Sequence, residues 1–251
     1  MTSKRKRSPS IEFVSWRRMA SPPFDKELEG DDNFVLCTPQ NAYFHVSAAI
    51  LSLASPFFKN VIREIRRAKR PMRLDVEESQ TPLEIILRLI YPVPDPVILD
   101  FDDFIDAYKA ATKYQLDHAI QALRKTLKLK FVEQEPLRVY AVAVQHGLQE
   151  EKEMAAYQAC KMPIQSWPSC EEYDNIPASR YHDLILYHKR RGAEAAKIIQ
   201  AAEQPCCRHC STQWLTSYQE AAVRALHEAP TTDRVFSFQF LTEHAPSTWL
   251  H

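Results

Sequence analysis

Cys206, Cys207, His209 and Cys210 crowd one hexapeptide, Pro205 to Cys210, the densest group of metal- and redox-capable side chains in the sequence. Cys207 and Cys210 have the C-x-x-C spacing of a zinc knuckle, with His209 between them. A closed tetrahedral site needs four ligands, and so short a peptide does not readily wrap four donors around one ion. His227, His244, Cys160 or Cys170 would have to complete it. The redox alternative calls for a strand-to-helix setting, whereas this cluster falls between two helical stretches. Free thiols at a helix junction are the plainer reading, so no cofactor is expected, with zinc as the alternative.

Two basic groups and one histidine are the other candidates. Lys59, Arg63, Arg66, Arg67 and Arg70 recur at spacings of three and four, which places them on one helix face, with Lys69 and Arg73 close by. Only Glu64 opposes them. Such a face either docks an acidic partner or a phosphate, or is a solvated helix end whose charge suits the negative end of the dipole. Lys4, Arg5, Lys6 and Arg7, followed by Ser8-Pro9, form a nuclear-import candidate, a weak nucleic-acid contact or a solvated tail. His45 would need a nucleophile or metal beside it to act as a base, and the sequence nominates neither. It is expected to be a structural histidine at a strand–helix junction, bonded to backbone. There is no Gly-x-Ser-x-Gly elbow, glycine-rich phosphate loop or His-Glu-x-x-His pair. The acidic clusters Asp100–Asp106 and Glu150–Glu153 open helices, where capping explains them. The chain is therefore not expected to be an enzyme.

These residues must be held by elements that the remaining sequence specifies. The 251 residues carry zero net charge, which gives no argument for nucleic acid, and only three glycines, which suits a largely helical protein. No apolar run approaches the ~20 residues of a membrane span. The charged N-terminus is followed by no apolar segment, so an intracellular protein with reduced thiols, in the nucleus or cytoplasm, is expected. Residues 1–27 read as a disordered basic lead. Residues 32–45 read as two β-prone runs about the turn Thr38-Pro39-Gln40-Asn41. Val46, Ala49, Ile50 and Leu53 have the spacing of an apolar helix stripe. Ser55-Pro56 then breaks the helix and caps the next one, which carries Phe57, Phe58, Val61 and Ile62.

Farther on, residues 72–76 suggest a short strand, and Leu83, Ile86, Leu87 and Ile90 a helix stopped by Tyr91-Pro92-Val93-Pro94-Asp95-Pro96. A helix pair covers 102–127, and two more helices cover 135–159, broken at Gly147. A long helix spans 178–202 and another roughly 213–229. The alternation of Val235-Phe236-Ser237-Phe238-Gln239-Phe240-Leu241, within a tail over 230–251, suits either a strand added to a sheet edge, in this chain or on a partner, or a poorly ordered end.

The segment Phe44-His45 through Leu51-Ser52 to Ser55-Pro56-Phe57-Phe58 resembles the BTB/POZ domain, as does the closing pair AYKAATKYQLDHAIQAL. The resemblance covers residues 28–130. With the YPVPDP break and the run EPLRVYAVAVQHGL, the chain looks most like a fungal, basidiomycete-type set with a single BTB domain and a helical C-terminal extension. The resemblance implies an α+β fold, a small sheet capped by a helical cluster. An all-α extension over 131–229 follows it. It also implies a protein–protein interaction module that associates with itself or another protein, as a cullin-type ubiquitin-ligase adaptor or a transcription-regulator scaffold. A nuclear factor contacting nucleic acid through the basic segments is the alternative. In the family an acidic residue opening the first strand and a basic residue after the histidine form a charged pocket at the dimer seam. Asp32 matches the first position, and Ser47 stands at the second. The helix that usually completes that seam would have to come from Ile11–Met19. The candidate partner-binding residues are thus Asp32 and His45 with Lys59, Arg63, Arg66, Arg67 and Arg70.

Overall fold

A computed structural model describes residues 18–202 and 212–244. The import candidate Lys4–Arg7, residues 11–17 of the seam segment and the cluster Cys206, Cys207, His209 and Cys210 lie outside the described residues. The chain divides into two compact units between Arg124 and Lys125.

The first unit is built on four strands, β1 (Arg18–Met19), β2 (Asn33–Cys37), β3 (Ala42–Ser47) and β4 (Arg73–Asp75), in the order β1-β3-β2-β4. β2 and β3 are antiparallel, while β1 lies parallel to β3 and β4 parallel to β2. The β2–β3 turn is held by the Thr38 hydroxyl, which accepts from Ala42 N at 3.1 Å, and by Asn41 at φ 59°. Side chains alternate across a sheet. Phe34, Leu36, Phe44 and Val46 accordingly fill the core, while Asn33, Val35, Tyr43 and His45 stay half-exposed on the other face. The expected disordered lead ends sooner than residue 27, because β1 pairs from Arg18 and Phe24 is buried against Phe44 and Tyr91.

Two helices, α1 (Ala48–Ala54) and α2 (Pro56–Arg67), follow the sheet and meet at Ser55. The expected stripe of Val46, Ala49, Ile50 and Leu53 is not the buried one. Ala48 and Leu51 face inward and Leu53 is 90% exposed. The strand runs on through Ser47, so the helix begins two residues later than that stripe assumes and its inward phase shifts. In α2, Phe58 and Ile62 are buried as expected. Helix α3 (Gln80–Ile90) stops at the proline-rich segment, and α4 (Phe101–Lys113) is capped by Asp100, whose carboxylate accepts from Asp102 N at 2.7 Å. Helix α5 (Asp117–Thr126) spans the division between the units. Ser55 is fully buried; its hydroxyl accepts from Phe58 N at 3.0 Å and donates to the Tyr114 carbonyl at 2.5 Å. The Tyr114 ring packs on Phe58 at 4.9 Å, and its hydroxyl bonds the Glu78 carboxylate.

The second unit is all helical among the described residues. A π turn over residues 127–131 leads into α6 (Val132–Gln134), then α7 (Pro136–His146) and α8 (Gln149–Ala159). Gly147 ends α7 in the left-handed region at φ 67°, as its position predicts. Helices α9 (Ala178–Ala201) and α10 (Thr212–Glu228) pack closely. A Cβ on Gly192 would stand 2.7 Å from the Leu226 carbonyl, so this crossing requires glycine.

The apolar segment 235–241 forms no strand. Residues 232–243 make α11 (Thr232–Val235) and α12 (Phe238–Glu243), the latter capped by Ser237 Oγ, which accepts from Phe240 N at 3.2 Å. Val235 and Phe240 join Tyr218, Ala222 and Leu226 in a core, and Tyr218 donates to the Val235 carbonyl at 3.1 Å. Local capping and helical burial of every few residues override the period-two pattern here.

Two measurements test these supports. Ser55→Ala removes a cap and leaves the buried Tyr114 carbonyl unpaired, so chemical unfolding of the full chain should show a loss of about 2–4 kcal/mol. His188 is buried; its Nε2–H donates to the Met162 carbonyl at 3.1 Å while Nδ1 has no partner. Burial pushes its pKa down and the Met162 carbonyl only partly restores it. The folded state therefore binds this proton less well than the unfolded state. Its contribution is fully present above about pH 6.5 and is lost as pH falls through the lower folded value. His188→Gln should flatten the pH dependence of unfolding stability below about pH 6.5.

Candidate functional site on the open sheet face

The half-exposed face of the sheet floors an open groove of about 840 Å³. The β2–β3 register sets Val35 opposite His45, and Cys37 opposite Tyr43. Val35 is also paired with Arg73 of β4. Val35, Tyr43 and His45 therefore lie side by side as an aromatic and apolar floor. One wall comes from the end of α2 and the segment after it, which supplies Arg66, Lys69 and Arg70. Glu27 and Gly30 line the groove elsewhere.

The structure brings together some of the sequence-predicted residues and separates others. His45, Arg66 and Arg70 share the groove, whereas Lys59, Arg63 and Arg67 are exposed on α2 and do not line it. Arg70 is not on the helix. Helix α2 ends at Arg67 and Lys69 takes φ 51°, a left-handed turn that carries the chain toward β4. That turn sets Arg70 against the sheet face, which three- and four-residue spacing alone does not reveal. Among the described residues, Lys59, Arg63, Arg66, Arg67, Lys69 and Arg70 make no ion pair; Arg63 donates to the Asn60 amide oxygen at 2.9 Å. Arg73 differs, since its Nε and Nη2 reach Asp75 at 2.9 and 2.7 Å and its guanidinium lies 5.5 Å from the Tyr43 ring centre.

His45 sits within β3 rather than at the strand–helix junction, and its ring bonds a side chain rather than backbone. Nδ1–H donates to Asn33 Oδ1 at 3.2 Å. No nucleophilic hydroxyl or thiol bonds this ring, and among the described residues no three His, Cys, Asp or Glu side chains stand together as a metal site. Asp32 is away from the groove. Its Oδ2 accepts from Ser47 Oγ at 2.5 Å and its Oδ1 from Ala49 N at 2.9 Å. The acidic position and the position that carries a basic residue in the family are thus in contact, joined here by a neutral hydroxyl. Ser47 Oγ accepts in turn from Ile50 N at 3.1 Å, and Ser47 N donates to the Tyr91 hydroxyl at 2.6 Å. Burial pushes the Tyr91 phenol up to about 12. Asp32 thus anchors the start of α1.

Val35, Tyr43 and Arg73 escaped the sequence reading as site residues. The period-two alternation that placed Phe34 and Phe44 inside would also have placed Val35 and Tyr43 outside beside His45. Arg73 required the parallel β2–β4 pairing, which no local signal carries.

Asp32→Ala should cost about 1–3 kcal/mol of unfolding stability, because it removes the acceptor of two hydrogen bonds at the start of α1. Asp32→Asn should cost less, since an amide oxygen still accepts one of them. Both are read from chemical denaturation of the full chain.

No curated protein matches the chain. Residues 28–130 match the BTB/POZ domain family. With its two-strand entry, the α1–α2 hairpin joined at Ser55 and the helices that close over the buried sheet face, this stretch of the chain is a BTB/POZ domain.

Proposed function

We propose that the chain acts by protein–protein association through its BTB/POZ domain, joining either a second copy of itself or a cullin-type scaffold. In the first case it would serve as a transcription-regulator scaffold, and in the second as a ubiquitin-ligase adaptor. The observation that carries this reading is the domain at residues 28–130, because BTB/POZ domains are protein–protein interaction modules. The groove chemistry agrees with it, since cations and an apolar floor suit recognition and the one histidine there pairs with an amide. The helical second unit supports the finer likeness to the fungal set with a helical extension. Lys4–Arg7 would direct the protein to the nucleus.

Light scattering on the full chain over a dilution series, at low and high salt, tests the reading. Self-association predicts a mass above the 29.1 kDa of one chain that falls on dilution. A monomer throughout, together with failure to co-elute with a purified cullin N-terminal region, would sink both branches. Tight, steeply salt-dependent binding to duplex DNA regardless of sequence would replace them with the nucleic-acid alternative.

A further inference from the structure

The segment 56–73 holds seven basic residues and one acidic residue in a chain of zero net charge. The helix dipole accounts for Arg66 and Arg67 in the last turn of α2. It does not account for Lys59 or Arg63, which precede that turn, or for Lys69 and Arg70, which lie beyond it. Six of the seven have no carboxylate partner among the described residues, whereas Arg73 is satisfied by Asp75. Unpaired like charges along one helix repel one another at some cost to the fold. The arrangement is therefore best matched by a counter-charge from outside.

The groove beside these cations narrows the kind of counter-charge. Its floor of Val35, Tyr43 and His45 is half-exposed and consists mainly of an aliphatic side chain and the faces of two rings, with polar atoms only at the Tyr43 hydroxyl and the His45 ring edge. Glu27, the one carboxylate in its lining, is exposed and bonds the Asn33 amide at 3.5 Å. A bare phosphate would use the rim and leave the floor uncovered. An extended polypeptide would use both, since alternate side chains of such a segment point to opposite sides.

We propose that this groove binds an extended acidic segment of a partner protein, with carboxylates on Arg66, Lys69 and Arg70 and apolar side chains on Val35, Tyr43 and His45. It rests on the association reading and gives that reading a surface and a partner chemistry. Exposed ion pairs are individually weak, so the apolar floor has to contribute to affinity while the rim sets charge preference.

Fluorescence anisotropy with the full chain and labelled peptides tests this directly. One peptide alternates Glu and Val, a second alternates Glu and Ser, and a third alternates Lys and Val. The Glu–Val peptide should bind tightest and the Lys–Val peptide not at all. Arg66→Glu with Arg70→Glu should weaken Glu–Val binding about tenfold or more, as two attractions become repulsions. Lys197→Glu, an exposed change in the second unit, should leave it unaltered. Equal binding of the Glu–Val and Glu–Ser peptides would overturn the role of the floor and with it the proposal. Indifference to the double reversal would overturn it equally. Duplex DNA that outcompetes the peptide and loses affinity with the same variants would assign the surface to nucleic acid instead. If the unaltered chain associates in light scattering but binds none of the three peptides, the groove falls and the association reading stands.

Discussion

The Ser55 hydroxyl is the joint of the first unit. One oxygen terminates α1's direction, starts α2 and bonds the backbone at the end of α4, fifty-nine residues away. Helix α2 can begin where it does because Pro56 needs no hydrogen-bond partner at the first helical position. Phe58 then falls on Tyr114, and Tyr114 is tied through its hydroxyl to Glu78, just before α3. Burial and the Glu78 carboxylate together push the Tyr114 phenol upward, so it stays a donor. The carboxylate itself is held below its usual range, because the Tyr114 hydroxyl and Lys113 ammonium outweigh its desolvation. The α1–α2 hairpin, the end of α4 and the approach to α3 therefore share one chain of contacts that starts at a serine.

What the sequence disclosed followed from how local the cause was. Gly147 and the caps at Ser55 and Asp100 were legible, because each acts on backbone within a few residues. The phase of α1 was not, because it depends on where β3 releases the chain. Nor was the fate of 235–241, where Ser237 capping and the surface offered by α10 decided between two periods that short apolar runs cannot separate. In α9, hydropathy alone nominates Tyr181, Leu184, Ile185, Ile198 and Ile199 as anchors. Leu184 is buried, but the other buried positions are His188, Gly192 and Ala196, and Ile198 is 73% exposed. Close helix packing selects small residues, which hydropathy undervalues.

The site shows the same division. Basic spacing on α2 was plain, but its relation to the sheet rested on the left-handed turn at Lys69 and on a parallel strand pairing. Asp32 and Ser47 illustrate the opposite case. Their family positions were recognisable, yet the contact serves the start of α1, because a hydroxyl there accepts and donates at once while a cation could only donate.

A chain with no net charge that gathers, in residues 59–70, six cations without a carboxylate partner among the described residues carries a strong local positive field there. Such a molecule turns in the field of an approaching partner before any surfaces touch. Its collisions are then orientationally biased, and added electrolyte slows productive encounters far more than it shortens the lifetime of a complex once formed. The placement of α2's cations thus bears on how quickly a partner is found, separately from how firmly it is held.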